Sequence, residues 1–143
     1  MEFFRRINTA VADIVATPAL NGILTVLARA LMSAIFIMAG ISKLGAGYAG
    51  TQGYMQSVGL PGELLPLVIL LEIGGGLALL AGFQTRLAGL ALAVFSIVSA
   101  MIFHSAADPM QQIMFMKNIA LAGGLLAFTV FGAGRWSLDA ETR

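Results

Sequence analysis

The chain has 143 residues, of which 59% are hydrophobic and 10% charged, and its mean hydropathy is +0.92. A soluble domain carries about 25% charged and about 45–50% apolar residues, so this composition excludes a water-soluble globule and a disordered tail and leaves the membrane class. Eight Lys plus Arg against seven Asp plus Glu give a net charge of +1, too little for a nucleic-acid field, while zero cysteines and one histidine exclude thiol chemistry and a bis-histidine haem within one chain.

The first twenty residues predict an amphipathic helix. Phe3, Phe4, Ile7, Val11, Ile14 and Val15 recur at helical spacing, while Arg5, Arg6, Asn8 and Asp13 lie largely off that stripe. Such a helix lies in the membrane interface. Thr17-Pro18 then turns the chain inward. The apolar run that follows starts too far in and is too long for a cleaved signal peptide, and it lacks a small-residue cleavage site.

Four later stretches reach the length of about 20 mostly apolar residues that a spanning helix needs. They cover residues 22–44, with Arg29 inside; 64–83, interrupted by Glu72; 87–106, with His104 near the end; and 112–131, with Lys117 and Asn118 in the first two turns. Only the connection over residues 45–63 is long, so neighbouring spans should be antiparallel. The expected fold is all-α, a single domain over residues 1–143. It is an integral membrane four-helix up-down bundle preceded by an interfacial amphipathic helix. Arg5, Arg6, Arg86, Arg135 and Arg143 flank one face and Lys43 the other, which puts both termini in the cytoplasm.

Small residues repeat every fourth position at Gly74/Ala78/Gly82, Gly89/Ala93, Ala30/Ala34 and Ala120/Gly124. That spacing suits close helix packing in lipid. Gly74-Gly75-Gly76 lacks the strand and the GxxxxGK[ST] pattern of a phosphate loop and is read as packing.

Charges inside a span are costly, about 2.5–3.5 kcal/mol for a central Arg, Lys or Asp on insertion scales. Arg29, Glu72, His104 and Lys117 should therefore face the bundle interior. From a rise of about 1.5 Å per residue, His104 and Lys117 lie near the outer face, Glu72 near the midplane and Arg29 deeper, outlining a funnel that opens outward. Asn118 adjoins Lys117, and Lys43 shares a helical face with Arg29, Ser33, Phe36 and Gly40. The competing structural reading is an ion-pair network, Arg29–Glu72 with Lys117 nearby, that fixes helix register. Lys43 could equally snorkel to the interface, His104 bond Asp108, and Asn118 bridge two helices. The lone histidine lacks companions for a metal site. The candidate ligand-binding residues are Arg29, Lys43, Glu72, His104, Lys117 and Asn118, with no metal ligand and no catalytic residue.

Phe36-Ile37-Met38-Ala39-Gly40-Ile41-Ser42-Lys43, with Arg29 ahead of it, resembles the opening of the DoxX family. The pieces that follow are Gly59-Leu60-Pro61, Glu72, Gly82-Phe83-Gln84-Thr85-Arg86, Phe103-His104, Phe115-Met116-Lys117-Asn118 and Ser137-Leu138-Asp139. The resemblance covers nearly all of residues 23–139 and least of the amphipathic start. It implies a four-helix protein of the bacterial inner membrane, with relatives associated with thiosulfate:quinone oxidoreductase, with quinone and catechol responses, and with oxidative-stress complexes. The thiol-redox chemistry of the wider group is closed to a chain without cysteine.

Three functions follow as expectations. The first is a quinone-linked or quinone-binding accessory subunit in membrane redox or stress defence, in which His104, Lys117 and Asn118 bond a quinone carbonyl and Glu72 or His104 exchanges a proton. The second is a proton-coupled transporter or permeability factor for an organic anion or a hydrophobic toxicant. The third is a structural assembly subunit. No intrinsic cofactor is expected beyond a quinone. The expected partners are the lipid bilayer, a redox protein and further copies of the chain, with no nucleic acid.

Overall fold

The computed structural model describes residues 1–140, and every ordered element in it is helical. Helix α1 spans Glu2–Val15, α2 Pro18–Ser42, α3 Ala46–Ser57, α4 Leu65–Ala81, α5 Thr85–Phe103 and α6 Pro109–Phe131, with single 3-10 turns at Gly62–Leu64 and Leu138–Ala140. Four of these segments are long and apolar enough to cross a membrane: α2, α4 with the turn before it, α5 and α6. The expected all-helical fold is the observed one.

Helix α1 buries none of its residues; its apolar face, with Phe3, Phe4, Ile7, Val11 and Ile14, is exposed. Pro18 opens α2 at a position where its missing N–H costs nothing, so α2 begins four residues before the expected start at Gly22. Asp108 caps α6 in the same economical way, its Oδ2 accepting from the backbone N–H groups of Met110 and Gln111 at 3.1 and 3.2 Å. His104 consequently falls just past the end of α5, outside any helix.

The bundle is built from two tight pairs, α2 with α4 and α5 with α6, joined along α4 and α5. Its main core is Phe36, Leu79, Leu92, Ala93, Ala122 and Leu125. Glycines set the approach distances. A Cβ on Gly76 would come 2.8 Å from Ile37 Cγ1, and one on Gly75 would come 3.1 Å from Leu92. A Cβ on Gly89 would lie 3.0 Å from the Leu125 carbonyl oxygen. Of the glycine run, Gly75 and Gly76 make the interhelical contacts, whereas Gly74 would meet only Leu70 of its own helix.

The two ends of the bundle differ. At the termini end, residues 132–140 fold back over α2 and the α4–α5 turn. Gly82 ends α4 at φ +67, and Gln84 follows at φ +46, a rare backbone for a residue with a side chain. The turn is held from outside: Asp139 accepts from the N–H of Gln84 at 2.8 Å and of Thr85 at 2.9 Å, and donates its own N–H to the Gly82 carbonyl at 2.8 Å. The carboxylate thereby occupies the N-terminus of α5, where free donors and the helix dipole favour an anion.

At the opposite end the long connection is itself a helix. Helix α3 lies within the long connection over residues 45–63, where Gly47, Gly50 and Gly53 depress helix propensity and blur any apolar period. It packs through buried Met55 onto Leu65 and Ile69, a second small core that roofs this end.

Candidate functional site

Lys43 is the C-cap of α2, just past Ser42, and Glu72 stands near the middle of α4. Gly40, one turn before Lys43, brings them together. A Cβ there would come 2.5 Å from Ile73 Cγ1 and 3.2 Å from Glu72 Cβ. Without one, the helices close up and Lys43 reaches across. Its Nζ donates to Glu72 Oε1 at 2.9 Å and to the Ala39 carbonyl at 3.0 Å, one of the unpaired carbonyls of the α2 terminus. It also lies 2.8 Å from Oε2. Oε2 accepts no directed hydrogen bond, although Glu72 is buried.

The pair forms part of the wall of a cavity of about 410 Å³ between α4 and α5, beneath α3. Val68 and Glu72 line it from α4, and Phe95, Val98, Ser99, Ile102 and Phe103 from α5. Thr51, Tyr54 and Met55 of α3 close it, with Leu60, Leu64 and His104 at the edges. The Tyr54 and Phe103 rings meet at a centroid distance of 5.4 Å. Below Glu72, the packing of Leu92 against Gly75 fills the same seam. The volume lies in the range of about 300–1,000 Å³ typical of small-molecule sites, and the mostly apolar lining with a few convergent polar groups is typical too.

The six candidate residues separate. Lys43, Glu72 and His104 share the cavity. His104 Nδ1 lies 2.7 Å from Gln111 Oε1, so its partner is Gln111 and not Asp108, which is engaged in capping α6. Lys43 turns inward to Glu72 instead of outward to the interface.

Arg29 belongs to the other end. It is 2% exposed. Its Nη1 donates to the Leu80 carbonyl at 3.0 Å and its Nη2 to the Trp136 carbonyl, within the electrostatic reach of Asp139. The expected Arg29–Glu72 pair does not form. The free carbonyls at the C-terminus of α4 and the returning tail satisfy the guanidinium locally, while Lys43 occupies Glu72. Gly82 makes room for this arrangement, since a Cβ there would collide with Arg29 Nη1 and with Ser137.

Lys117 and Asn118 also lie off the cavity. Helix α6 buries Ala122 and Leu125 and leaves Lys117 exposed, with its Nζ 3.3 Å from Met114 Sδ one turn back toward the α6 N-terminus. That direction lets the ammonium snorkel to the near interface. Asn118 is half-buried. Sequence reasoning missed Thr51, Tyr54 and Ser99, polar residues of the cavity lining; the first two sit on α3, within the long connection. Among the described residues no three His, Asp or Glu side chains gather as metal ligands.

The DoxX family matches residues 24–105, a stretch that contains every residue lining the cavity. Inner membrane protein YqjF of Escherichia coli (strain K12) is 51% identical over 113 residues, covering 78% of this chain and 86% of that protein. Inner membrane protein YphA of the same strain is 32% identical over 126 residues, 82% of this chain and 89% of that protein. No solved structure matches.

Proposed function

Because the chain belongs to the DoxX family and is a multi-pass protein of the bacterial inner membrane, we propose that it binds a quinone-class molecule between α4 and α5, as an accessory subunit of membrane redox or quinone-stress defence. The observation that carries this reading is the buried Lys43–Glu72 pair in the wall of an otherwise mostly apolar cavity. A quinone is a neutral, flat ring with two acceptor carbonyls. Lys43 has three donors, which the Glu72 carboxylate and the Ala39 carbonyl engage in the unliganded site; a quinone carbonyl would take one of them from Glu72 Oε2. The Glu72 carboxylate, ion-paired through Oε2 as well, holds the Lys43 ammonium at the cavity wall.

Reduction to the hydroquinone takes two electrons and two protons. Glu72 and His104 handle protons only. The electrons therefore come from a redox partner, which is why the reading is of a subunit and not of a complete enzyme.

Charge balance favours a neutral ligand over an organic anion. The sequence counts a surplus cation near Glu72. With Arg29 held at the termini end and Lys117 exposed outside the bundle, Lys43 and Glu72 compensate each other. In this reading both termini are cytoplasmic. Arg5, Arg6, Arg86 and Arg135 flank the termini end, Arg143 lies outside the described residues, and Lys43 is the one expected flanking cation at the other end.

The test is to purify the protein in detergent, extract it for co-purifying quinone, and titrate it with a short-chain benzoquinone. Saturable binding near one per chain is expected. Wild-type protein that carries no quinone and binds none overturns the reading.

A further inference from the structure

The walls of the cavity are unevenly covered. Glu72 and Met55 are buried, whereas Val98 on α5 is 45% exposed and Leu64, just before α4, is 41% exposed. Both residues line the cavity, so its wall is only partly covered at these two points on either side of the α4–α5 seam. Val98 stands five residues before the end of α5 at Phe103, about 7–8 Å down the helix at 1.5 Å per residue. At that depth Val98 faces the hydrocarbon, while Leu64 marks the outer end of the α4 span. The neighbouring outward residues Val94, Met101 and Leu67 are exposed and apolar, as a lipid-facing surface requires. Toward water, α3 covers the cavity with buried Met55 and with Tyr54, which is itself 48% exposed and packs on the Phe103 ring.

We propose that the cavity opens sideways into the bilayer between Val98 and Leu64 and takes a tailed ligand from it: the polar ring lies at Lys43–Glu72 and the aliphatic tail leaves through the gap. A cavity of about 410 Å³ holds a substituted ring and a few methylenes. A longer chain has to stay outside, and at Val98 the partly covered wall faces lipid. The identity of the ring rests on the quinone-class reading above; the opening itself does not.

Two measurements keep these apart. The chain has no cysteine, so Ser99→Cys carries a single nitroxide into the cavity. In bilayers its relaxation should respond to dissolved oxygen more than to a water-soluble nickel chelate, and the oxygen response should fall when Val98→Trp closes the seam. Chelate access exceeding oxygen access, or an oxygen response indifferent to Val98→Trp, overturns the sideways opening. Separately, a decyl-substituted benzoquinone and the same ring without its chain are titrated into nanodiscs. The decyl compound should bind about tenfold more tightly, a difference of about 1.4 kcal/mol, and Val98→Trp should shrink that ratio toward one. Equal affinities overturn the tailed-ligand proposal and leave the quinone reading standing. If neither compound binds wild-type protein, the quinone reading fails and the nitroxide result alone judges the opening.

Discussion

The Lys43 ammonium and the Glu72 carboxylate, 29 positions apart in sequence, meet at 2.8–2.9 Å because Gly40 lets α2 and α4 close between them. Removing one member of such a pair leaves the other buried and uncompensated, which costs about 3–5 kcal/mol, while replacing both with apolar groups is often close to neutral. Glu72→Gln and Lys43→Met should each lower thermal stability in detergent strongly. The double variant Lys43→Met/Glu72→Leu should recover much of the loss without recovering quinone binding. Additive losses in the double variant would mean that the two groups do not act as a pair.

Gly40→Val tests the same geometry from the backbone side. Its added carbons meet Ile73 and the Cβ of Glu72, and overpacking of this kind costs about 1–3 kcal/mol. Separation of α2 from α4 should also pull Lys43 off Glu72. Reduced stability together with reduced quinone affinity is expected by titration; intact affinity would show that the pair tolerates a wider spacing.

The termini end should be separable from the cavity. Asp139→Ala removes the acceptor for two N–H groups at the start of α5, a loss of about 0.5–2 kcal/mol for a helix cap. Arg29→Met frees the Leu80 and Trp136 carbonyls, at about 1–3 kcal/mol for each buried group left unsatisfied. Thermal melts should register both changes. Quinone affinity, measured well below the melting range, should stay within about twofold for Asp139→Ala, consistent with a site at the other end of the bundle.

Lys117 provides the contrast. It is exposed on α6 with its ammonium beside Met114 of its own helix, so Lys117→Met should change stability by no more than about 0.5 kcal/mol and leave ligand binding intact. A large loss of affinity would return Lys117 to the site.

The four spans were legible in the sequence because apolar length alone specifies them, and Glu72 stood out because a carboxylate in a span is costly. Pairing was less legible. Helical spacing puts Arg29 and Lys43 on one face of α2 but does not say which of them meets Glu72. That choice depends on the free carbonyls of α4 and on the tail from Gly132 to Ala140, which returns from the far end of the chain to hold Arg29. Lys117 was drawn inward by the general rule that charges avoid lipid; its helix instead packs almost wholly on α5 and leaves the lysine free to snorkel. Helix α3, with its three glycines, shows no apolar period, so the sequence did not announce the roof of the cavity or the contribution of Tyr54 and Thr51.

The most direct test of the account is a benzoquinone titration of wild type, Lys43→Met, Glu72→Gln and Lys117→Met, each first confirmed as folded by its thermal melt. Loss of one charge-assisted hydrogen bond, about 1.5–3 kcal/mol, should weaken Lys43→Met by about tenfold or more, and Glu72→Gln should weaken binding too because Lys43 loses the carboxylate that holds it, while Lys117→Met binds as wild type does. Equal binding by all four proteins, or a loss confined to Lys117→Met, would contradict a ligand site at the Lys43–Glu72 pair.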